Sequence, residues 1–420
     1  MRSFRTYLAL SGAVTLAACG GDTGPQTVGG VAPPAASPTP THSFVAPTDP
    51  KTYDGIGTVQ HYGYYTDSNK SGQGGQLYAG DANTARNGGI TVNYNPRDAV
   101  FELTINRPAG DVSTGVLRYQ DPLHRTAFGG PATPQAGVPE FDAARNIQYL
   151  EAGSQSGSRV GPGSQFYTYT DPATGQVVTT AANSTLPVMA DQSSYNVATL
   201  FYQKPGTTTK YVTYAGFVRN TVSGSLQQPD PSQPAFLRQT YSLDRAAFVF
   251  GERSANSAVP TTGTGTFNGE MIASMVVNVD PTTRLDATLP SYLQWIQGTQ
   301  STSINFANLS VSTHFEGTVM APGLDAYTNA QYPLAAGTLF DATASAMIDM
   351  VNRGGFTGQF SQACFAADCT AANSLVIAGS SLDGTFYGPN ADEIGGGFRI
   401  VGGTPDQRID ILGAFVGKKP

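Results

Sequence analysis

From about Tyr53 onward the chain changes character at every second residue. In "GITVNYN", Ile90, Val92 and Tyr94 alternate with Thr91 and Asn93; in "VFELTIN", Phe101, Leu103 and Ile105 alternate with Glu102 and Thr104. Successive side chains of a strand point to opposite faces, so a period of two predicts half-buried antiparallel strands. "FYTYTDPATGQVVTT" is two such runs around residues 171–175, whose Asp-Pro and Gly mark a hairpin. "TKYVTYAGFVR" and "RAAFVFGER" continue the pattern, and no 3.6-residue stripe is sustained across 53–252. This half reads as all-β, with loop excursions around 107–160 and 220–240. In "FYQKPGTTTKYVTY", Lys204 and Lys210 flank an exposed hairpin and discourage edge pairing.

The second half opens at "ANSAVPTTGTGTFNGEM". In "LSVSTHFEG", Leu309, Val311, Thr313 and Phe315 share one face and Ser310, Ser312, His314 and Glu316 the other. "FDATASAMIDMVNRGGFTGQF" contains good helix formers. Yet Asp341, Thr343, Ser345 and Asp349 fall on one parity, and Asn352-Arg353-Gly354-Gly355 stands where a hairpin loop belongs, so strands are expected there. "SLDGTFYG", "GGFRIVGG" and "QRIDILGAFVG" complete the series. Evenly spaced short strands in a chain with 49 Gly and 20 Tyr predict a small antiparallel barrel, closed so that no edge is exposed.

The N-terminus, "MRSFRTYLALSGAVTLAACGG", places Arg2 and Arg5 before an apolar run, 8–16, that stops at small residues. The run is too short to span a bilayer and fits a secretory signal. Leu16-Ala17-Ala18-Cys19 resembles a bacterial lipobox, in which cleavage before the cysteine follows acylation of its thiol. The plainer alternative is an ordinary signal peptide that contains a cysteine. The lipobox reading makes 1–18 a signal peptide and Cys19 a lipidation site. Palmitate-type chains there, each CH2 worth about 0.8 kcal/mol of membrane affinity, anchor the protein without a transmembrane helix. Gly20, in place of an inner-membrane-retaining aspartate, points to the outer membrane. Residues 19–52 hold seven prolines and no hydrophobic periodicity, so they read as an extended linker. At about 3 Å per residue it reaches several tens of ångströms.

The other two cysteines, Cys364 and Cys369 in "ACFAADCT", form an even pair in an exported chain and predict a local disulfide. Closing so short a loop contributes about 2 kcal/mol on the chain-entropy account. The pair lacks further Cys or His nearby and is not a zinc signature. Removing 1–18 takes away Arg2 and Arg5, so the net charge of −7 becomes −9. An acidic chain with 13% charged residues is a poor partner for nucleic acid, and none is expected.

The segment "GTFYGPNADEIGGGF", residues 384–398, then becomes specific. Its Gly384, Phe386, Tyr387, Gly388, Pro389, Glu393, Ile394, Gly395, Gly396 and Phe398 closely resemble the signature of the transferrin-binding protein B-like lipoprotein β-barrel family. "VPTTGTGTFNG" resembles that family's first barrel strand and "GAFVGKK" its last, so the resemblance covers about 255–420. It implies an eight-stranded antiparallel barrel at 253–420 preceded by an irregular β-rich handle-like domain, for which 53–252 is the counterpart. It also implies a surface lipoprotein that binds a ligand. An outer-membrane transporter and a translocon for surface lipoproteins follow as partners. The chain is long enough for one lobe where the transferrin receptors carry two, so transferrin specificity does not carry over. Within the motif, Phe386 and Tyr387 are expected to end a strand and Pro389 to open a helical turn holding Asp392 and Glu393. Gly395–Gly397 are expected to break that turn with positive φ and Phe398 to start the next strand, so that the loop plugs one barrel end with Ile394 turned inward.

Signals for catalysis are missing. Of four histidines, His42 lies in the linker, His124 follows a Pro-rich turn and His314 stands on a polar strand face, read as solvated. "GSQSG" puts Gln155 where a nucleophile elbow needs Ser, and neither H-E-x-x-H nor a P-loop is present. No enzyme activity, cofactor or metal site is expected. "VQHYGYYTDSNK" supplies the most suggestive binding patch, His61, Tyr62, Tyr64 and Tyr65, since His and Tyr ligate iron or haem and Tyr favours interfaces. A tyrosine-rich strand with alternate rings buried accounts for the same residues. The expected function is ligand capture, of a protein carrier or a small solute such as an iron or haem source. The rival is a structural or interaction lipoprotein of the envelope.

Overall fold

Alternation along the sequence becomes two-sidedness in space. The computed structural model describes residues 43–70, 74–80, 84–86, 89–106, 115–120, 137–155, 166–170, 177–181, 195–278, 291–320, 334–367, 369–370, 374–404 and 407–420. Cys19, most of the linker, His42, His124 and the 171–175 turn lie outside them. The first set of strands is β1 (Lys51–Asp54), β2 (Ile56–Asp67), β3 (Gly74–Gly80), β4 (Ile90–Asn95), β5 (Val100–Ile105), β6 (Leu117–Gln120), β7 (Ile147–Gln155), β8 (Phe166–Thr170), β9 (Val177–Ala181), β10 (Tyr195–Gln203), β11 (Val212–Gln227) and β12 (Phe236–Gly251). The second is β13 (Thr264–Asn278), β14 (Ser291–Asn305), β15 (Ser310–Val319), β16 (Leu339–Asp349), β17 (Gly355–Cys364), β18 (Val376–Tyr387), β19 (Glu393–Thr404) and β20 (Gln407–Lys418). Residues 42–420 cluster as one unit.

The second set closes into an eight-stranded antiparallel barrel, because β13 pairs with β14 on one side and with β20 on the other. On β15 the buried positions are Val311, Thr313 and Phe315, while Ser312, His314 and Glu316 face outward. On β16 they are Phe340, Ala342, Ala344, Ala346 and Ile348. The stretch with helix formers is therefore strand: its period of two outweighs its propensity. Leu309 is the exception to the expected face. It sits in the turn before β15 at φ 62° and is 44% exposed.

Phe267, Phe315, Phe356, Phe360, Phe386, Phe398 and Phe415 fill the barrel. Each buried ring contributes about 1.5–3 kcal/mol of transfer free energy. Two glycines make room for two of them. A Cβ on Gly384 would stand 2.2 Å from the Phe356 ring, and one on Gly413 would stand 2.1 Å from the Phe398 ring.

The motif at 384–398 corrects the expectation drawn from its glycines. β18 ends at Tyr387, but no helical turn or plug follows: the chain reverses over 388–392 and β19 begins at Glu393. Positive φ falls at Gly388 (83°) and Ala391 (55°), not at Gly395–Gly397. The triplet is strand, paired with Asp383, Gly384 and Thr385 of β18. What it needs is closeness, since a Cβ on Gly397 would meet the backbone of Gly57 at 2.5 Å. Ile394 is buried in the barrel core, as expected.

The first set is layered. A four-stranded sheet, β1-β4-β5-β6, and a six-stranded sheet, β3-β2-β12-β11-β10-β7, enclose one core that includes Ile90, Val92, Leu103, Phe217 and Phe248. The opposite face of the larger sheet lies on the barrel wall: Ile56, Phe201, Tyr214 and Val249 pack with Ile272, Trp295, Leu412 and Val416. β8 and β9 pair as the expected hairpin. The excursion expected at 220–240 is instead mostly strand, because β11 and β12 pair in register from Val212↔Gly251 to Gln227↔Phe236. On β11 its outer end, from Ser223 to Gln227, is exposed or half-buried, so burial leaves no alternating signature there.

Candidate functional site

The two ends of the barrel are built differently. At one end the connections are tight and made by side chains. Asn305 Oδ1 accepts from the Ala307 and Asn308 N–H groups, and Asp349 Oδ1 accepts from that of Asn352 at 2.9 Å. Gly354 (φ 62°) and Gly388 (φ 83°) supply the left-handed positions. At the other end three of the four connections are long: 279–290 joins β13 to β14, 320–338 joins β15 to β16, and 365–375 joins β17 to β18, while 405–406 joins β19 to β20. The Cys364–Cys369 disulfide, with Cα atoms 5.5 Å apart, lies in the third.

A groove of about 410 Å³ runs along the outer wall beside that end. Arg145 forms one side, Glu316, Leu339 and Asp341 the floor, and Ala366 and Ala367 of the disulfide loop the other side. Arg145 is placed by a short 3₁₀ turn, Ala143–Arg145. Asp142 caps its start by accepting from the Ala144 N–H, and Asn146 ends it in the left-handed region. The guanidinium donates to Glu270 Oε2 at 3.0 Å and to the Gly298 carbonyl at 3.3 Å.

Glu270 of β13 gathers the junction of the larger sheet with the barrel. Besides Arg145, the Tyr214 hydroxyl donates to it at 2.8 Å, Gln203 Nε2 at 3.2 Å and the Thr208 hydroxyl at 3.0 Å. Burial, followed by the Glu270 charge, pushes the Tyr214 phenol well above its ordinary range, so it stays a donor. A second anchor is Arg86, which holds Asp383 at 2.9 Å and donates to the carbonyls of Gly384 (2.7 Å) and Arg353 (2.8 Å). Its burial lowers the guanidinium pKa. The third is Glu393 of the motif, whose carboxylate accepts from the Lys210 and Tyr211 N–H groups at 2.7 Å each. Burial raises its pKa, with those N–H groups opposing. Asp392 lies beside Lys419 at 3.5 Å.

β2 divides the four residues of the tyrosine patch. Tyr62 and Tyr64 turn toward the barrel and are buried with Leu243, Val276 and Leu293; Tyr64 stacks on Tyr241 at 4.5 Å. His61 and Tyr65 take the other face. There His61 Nδ1 meets Asp244 Oδ1 at 2.7 Å, and Arg219 Nε also donates to Asp244. The Tyr65 ring lies 3.8 Å under Arg238, which donates to both oxygens of Asp67. The four do not converge on one point.

Sequence reasoning missed three features. Arg145 and Glu270 carry no local signature, because each depends on a partner far along the chain. His314, read as solvated, has Nε2 2.6 Å from Asp341 Oδ2. Phe44, at the end of the linker, is buried against Tyr53 (5.2 Å) and Phe250 (5.7 Å). It borders a hollow of about 250 Å³ that Tyr94, Phe101 and Tyr202 also line. The outward parity shared by His314, Glu316 and Asp341 was the available signal for the second.

Among known proteins, residues 259–419 match the family profile described as the C-lobe and N-lobe β-barrels of Tf-binding protein B. A search of curated proteins returns no match. Solved structures similar to the chain include a transferrin-binding protein B mutant from Haemophilus parasuis, 13% identical over 89% of this chain and 78% of that one, TM-score 0.29. Another is the isotype 1 transferrin-binding protein B of serogroup B Neisseria meningitidis, 11% identical over 89% and 77%, TM-score 0.25. The superpositions are loose over the whole chain, and the assignment rests on the barrel sequence. From Val259 to Lys419, then, the chain carries a transferrin-binding protein B-like barrel domain.

Proposed function

We propose that this chain is an outer-membrane lipoprotein, anchored through acylated Cys19 and displayed at the cell surface, that captures a ligand non-covalently. The ligand class is a protein carrier or a small solute such as an iron or haem source, delivered to an outer-membrane transporter. A translocon for surface lipoproteins would place it there. In this reading 1–18 is the signal peptide, 19–52 the lipidated linker, 53–252 the handle-like domain and 253–420 the barrel domain. The observation that carries it is the barrel's asymmetry. Phenylalanine rings fill the interior, so a ligand is held by the rim and outer wall, and the long connections gather at one rim. The groove beside that rim, and His61 and Tyr65 on the partly exposed face of β2, are the proposed contacts; transferrin itself is not implied.

The test is a pull-down with the full chain, comparing extracts and carrier proteins offered under iron limitation and iron sufficiency. Retention of a soluble iron carrier or haem, lost when the groove residue Leu339 is changed to Asp, supports capture. A chain that retains nothing, with a deletion strain that keeps normal uptake but a weakened envelope, overturns it in favour of a structural lipoprotein.

A further inference from the structure

We propose that His314, Glu316 and Asp341 form a divalent transition-metal site on the outer wall of the barrel. It goes beyond the ligand-capture reading and does not depend on it. His314 and Glu316 stand two apart on β15, so both point outward, and Asp341 is the direct cross-strand neighbour of Glu316 on β16. One donor atom from each residue lies within 4.8 Å of the other two.

Two further features distinguish this set from solvated charges. First, the register pairs Glu316 directly with Asp341, and like charges placed opposite each other on neighbouring strands are destabilising. The groove's guanidinium, Arg145, is engaged by Glu270 and Gly298, so among the described residues that line the groove none answers the pair, and His314 meets Asp341 alone. Second, Glu316 and Asp341 both line the groove, whose volume of about 410 Å³ leaves room for a further ligand.

The donor set is one imidazole nitrogen and two carboxylate oxygens. This suits a zinc-like ion held by three protein ligands with one position open. His314 Nε2 lies 2.6 Å from Asp341 Oδ2. Seating an ion about 2.0–2.2 Å from each donor asks the two to part to about 3–3.5 Å, within the reach of a side-chain rotation. A neighbouring trio, Asp341 with Cys364 and Cys369, does not compete, because its sulfurs are joined in a disulfide and thiolate is the metal-binding form.

The purified full chain, without reductant, is titrated with Co²⁺ followed by d–d absorption, then competed with Zn²⁺. One equivalent with a low-symmetry N/O spectrum is expected. His314→Ala should weaken it about 100-fold or more, and Glu316→Gln and Asp341→Asn about 10-fold or more each. The three side chains lie on the outer wall, so all three variants should keep the fold. Without metal, Glu316→Gln and Asp341→Asn, which relieve the like-charge pair, should melt no lower than the wild type, and Zn²⁺ should raise the Tm of the wild type and not that of His314→Ala. Unchanged Co²⁺ affinity and stoichiometry in His314→Ala, or a wild type that takes up no more Co²⁺ than the triple variant, overturns the site.

Discussion

Gly384 and Glu393 show how little a residue's type reveals without its neighbours. Gly384 gives way to the Phe356 ring, which a Cβ would approach to 2.2 Å. Gly384→Ala is therefore expected to overpack the barrel and cost about 1–3 kcal/mol, read as a lower denaturant midpoint. An unchanged midpoint would mean that the ring has somewhere else to go. Glu393 is a buried carboxylate serving two backbone N–H groups, and burial raises its pKa from an ordinary value of 4.5. The folded protein thus holds this proton more tightly than the unfolded chain. The stability it contributes is fullest below 4.5 and declines as pH rises through the raised value. Glutamine cannot titrate, so the wild type measured against Glu393→Gln should lose ground as pH increases across that window. A difference that stays flat with pH would contradict the assignment. None of this was legible in the sequence. The N–H partners of Glu393 belong to Lys210 and Tyr211, 183 and 182 residues away, and backbone donors leave no mark on composition.

Among the elements, legibility followed burial. β15 and β16 were readable because one face of each lies in the barrel core, which imposes a period of two on residue choice. The outer half of the β11–β12 hairpin was not. On β11 the residues from Ser223 to Gln227 are exposed or half-buried, and on β12 the buried positions Leu237 and Gln239 alternate with polar Arg238 and Thr240 over too short a run to stand out. The glycine triplet misled for a related reason. Three glycines normally signal a turn, but here they mark where β19 runs against β2, with Gly397 over Gly57. The junction between the larger sheet and the barrel depends on Glu270 in the same pairwise way. Glu270→Gln removes the charge that four donors share, and is expected to destabilise by about 2 kcal/mol. Faster amide exchange around Thr208 and Gln203 is the accompanying signature. Exchange that accelerates uniformly across the barrel would show that Glu270 supports the barrel and not the junction.

For the whole molecule, the proposed lipid anchor makes the plainest prediction. Cys19→Ser should move the protein from the membrane to the soluble fraction, and unchanged fractionation would contradict anchoring at that residue. Protease treatment of intact cells should cleave the wild type; complete protection would put it on the inner side of the outer membrane. The closed barrel carries a last consequence, one of timing. β13 is the first barrel strand in the sequence and β20 the last, and each is the other's partner from Asn268↔Lys418 to Asn278↔Arg408. Until residues 407–418 arrive, β13 and β19 each present an unpaired row of backbone groups, the surface on which strands from other chains add. Seven of the eight strands must wait for the eighth, so the interval of danger lasts for most of the barrel's delivery. A chain ending at Thr404 should therefore aggregate and not simply melt at a lower temperature. In the living cell, the same arithmetic makes a holding chaperone most useful before the final strand appears.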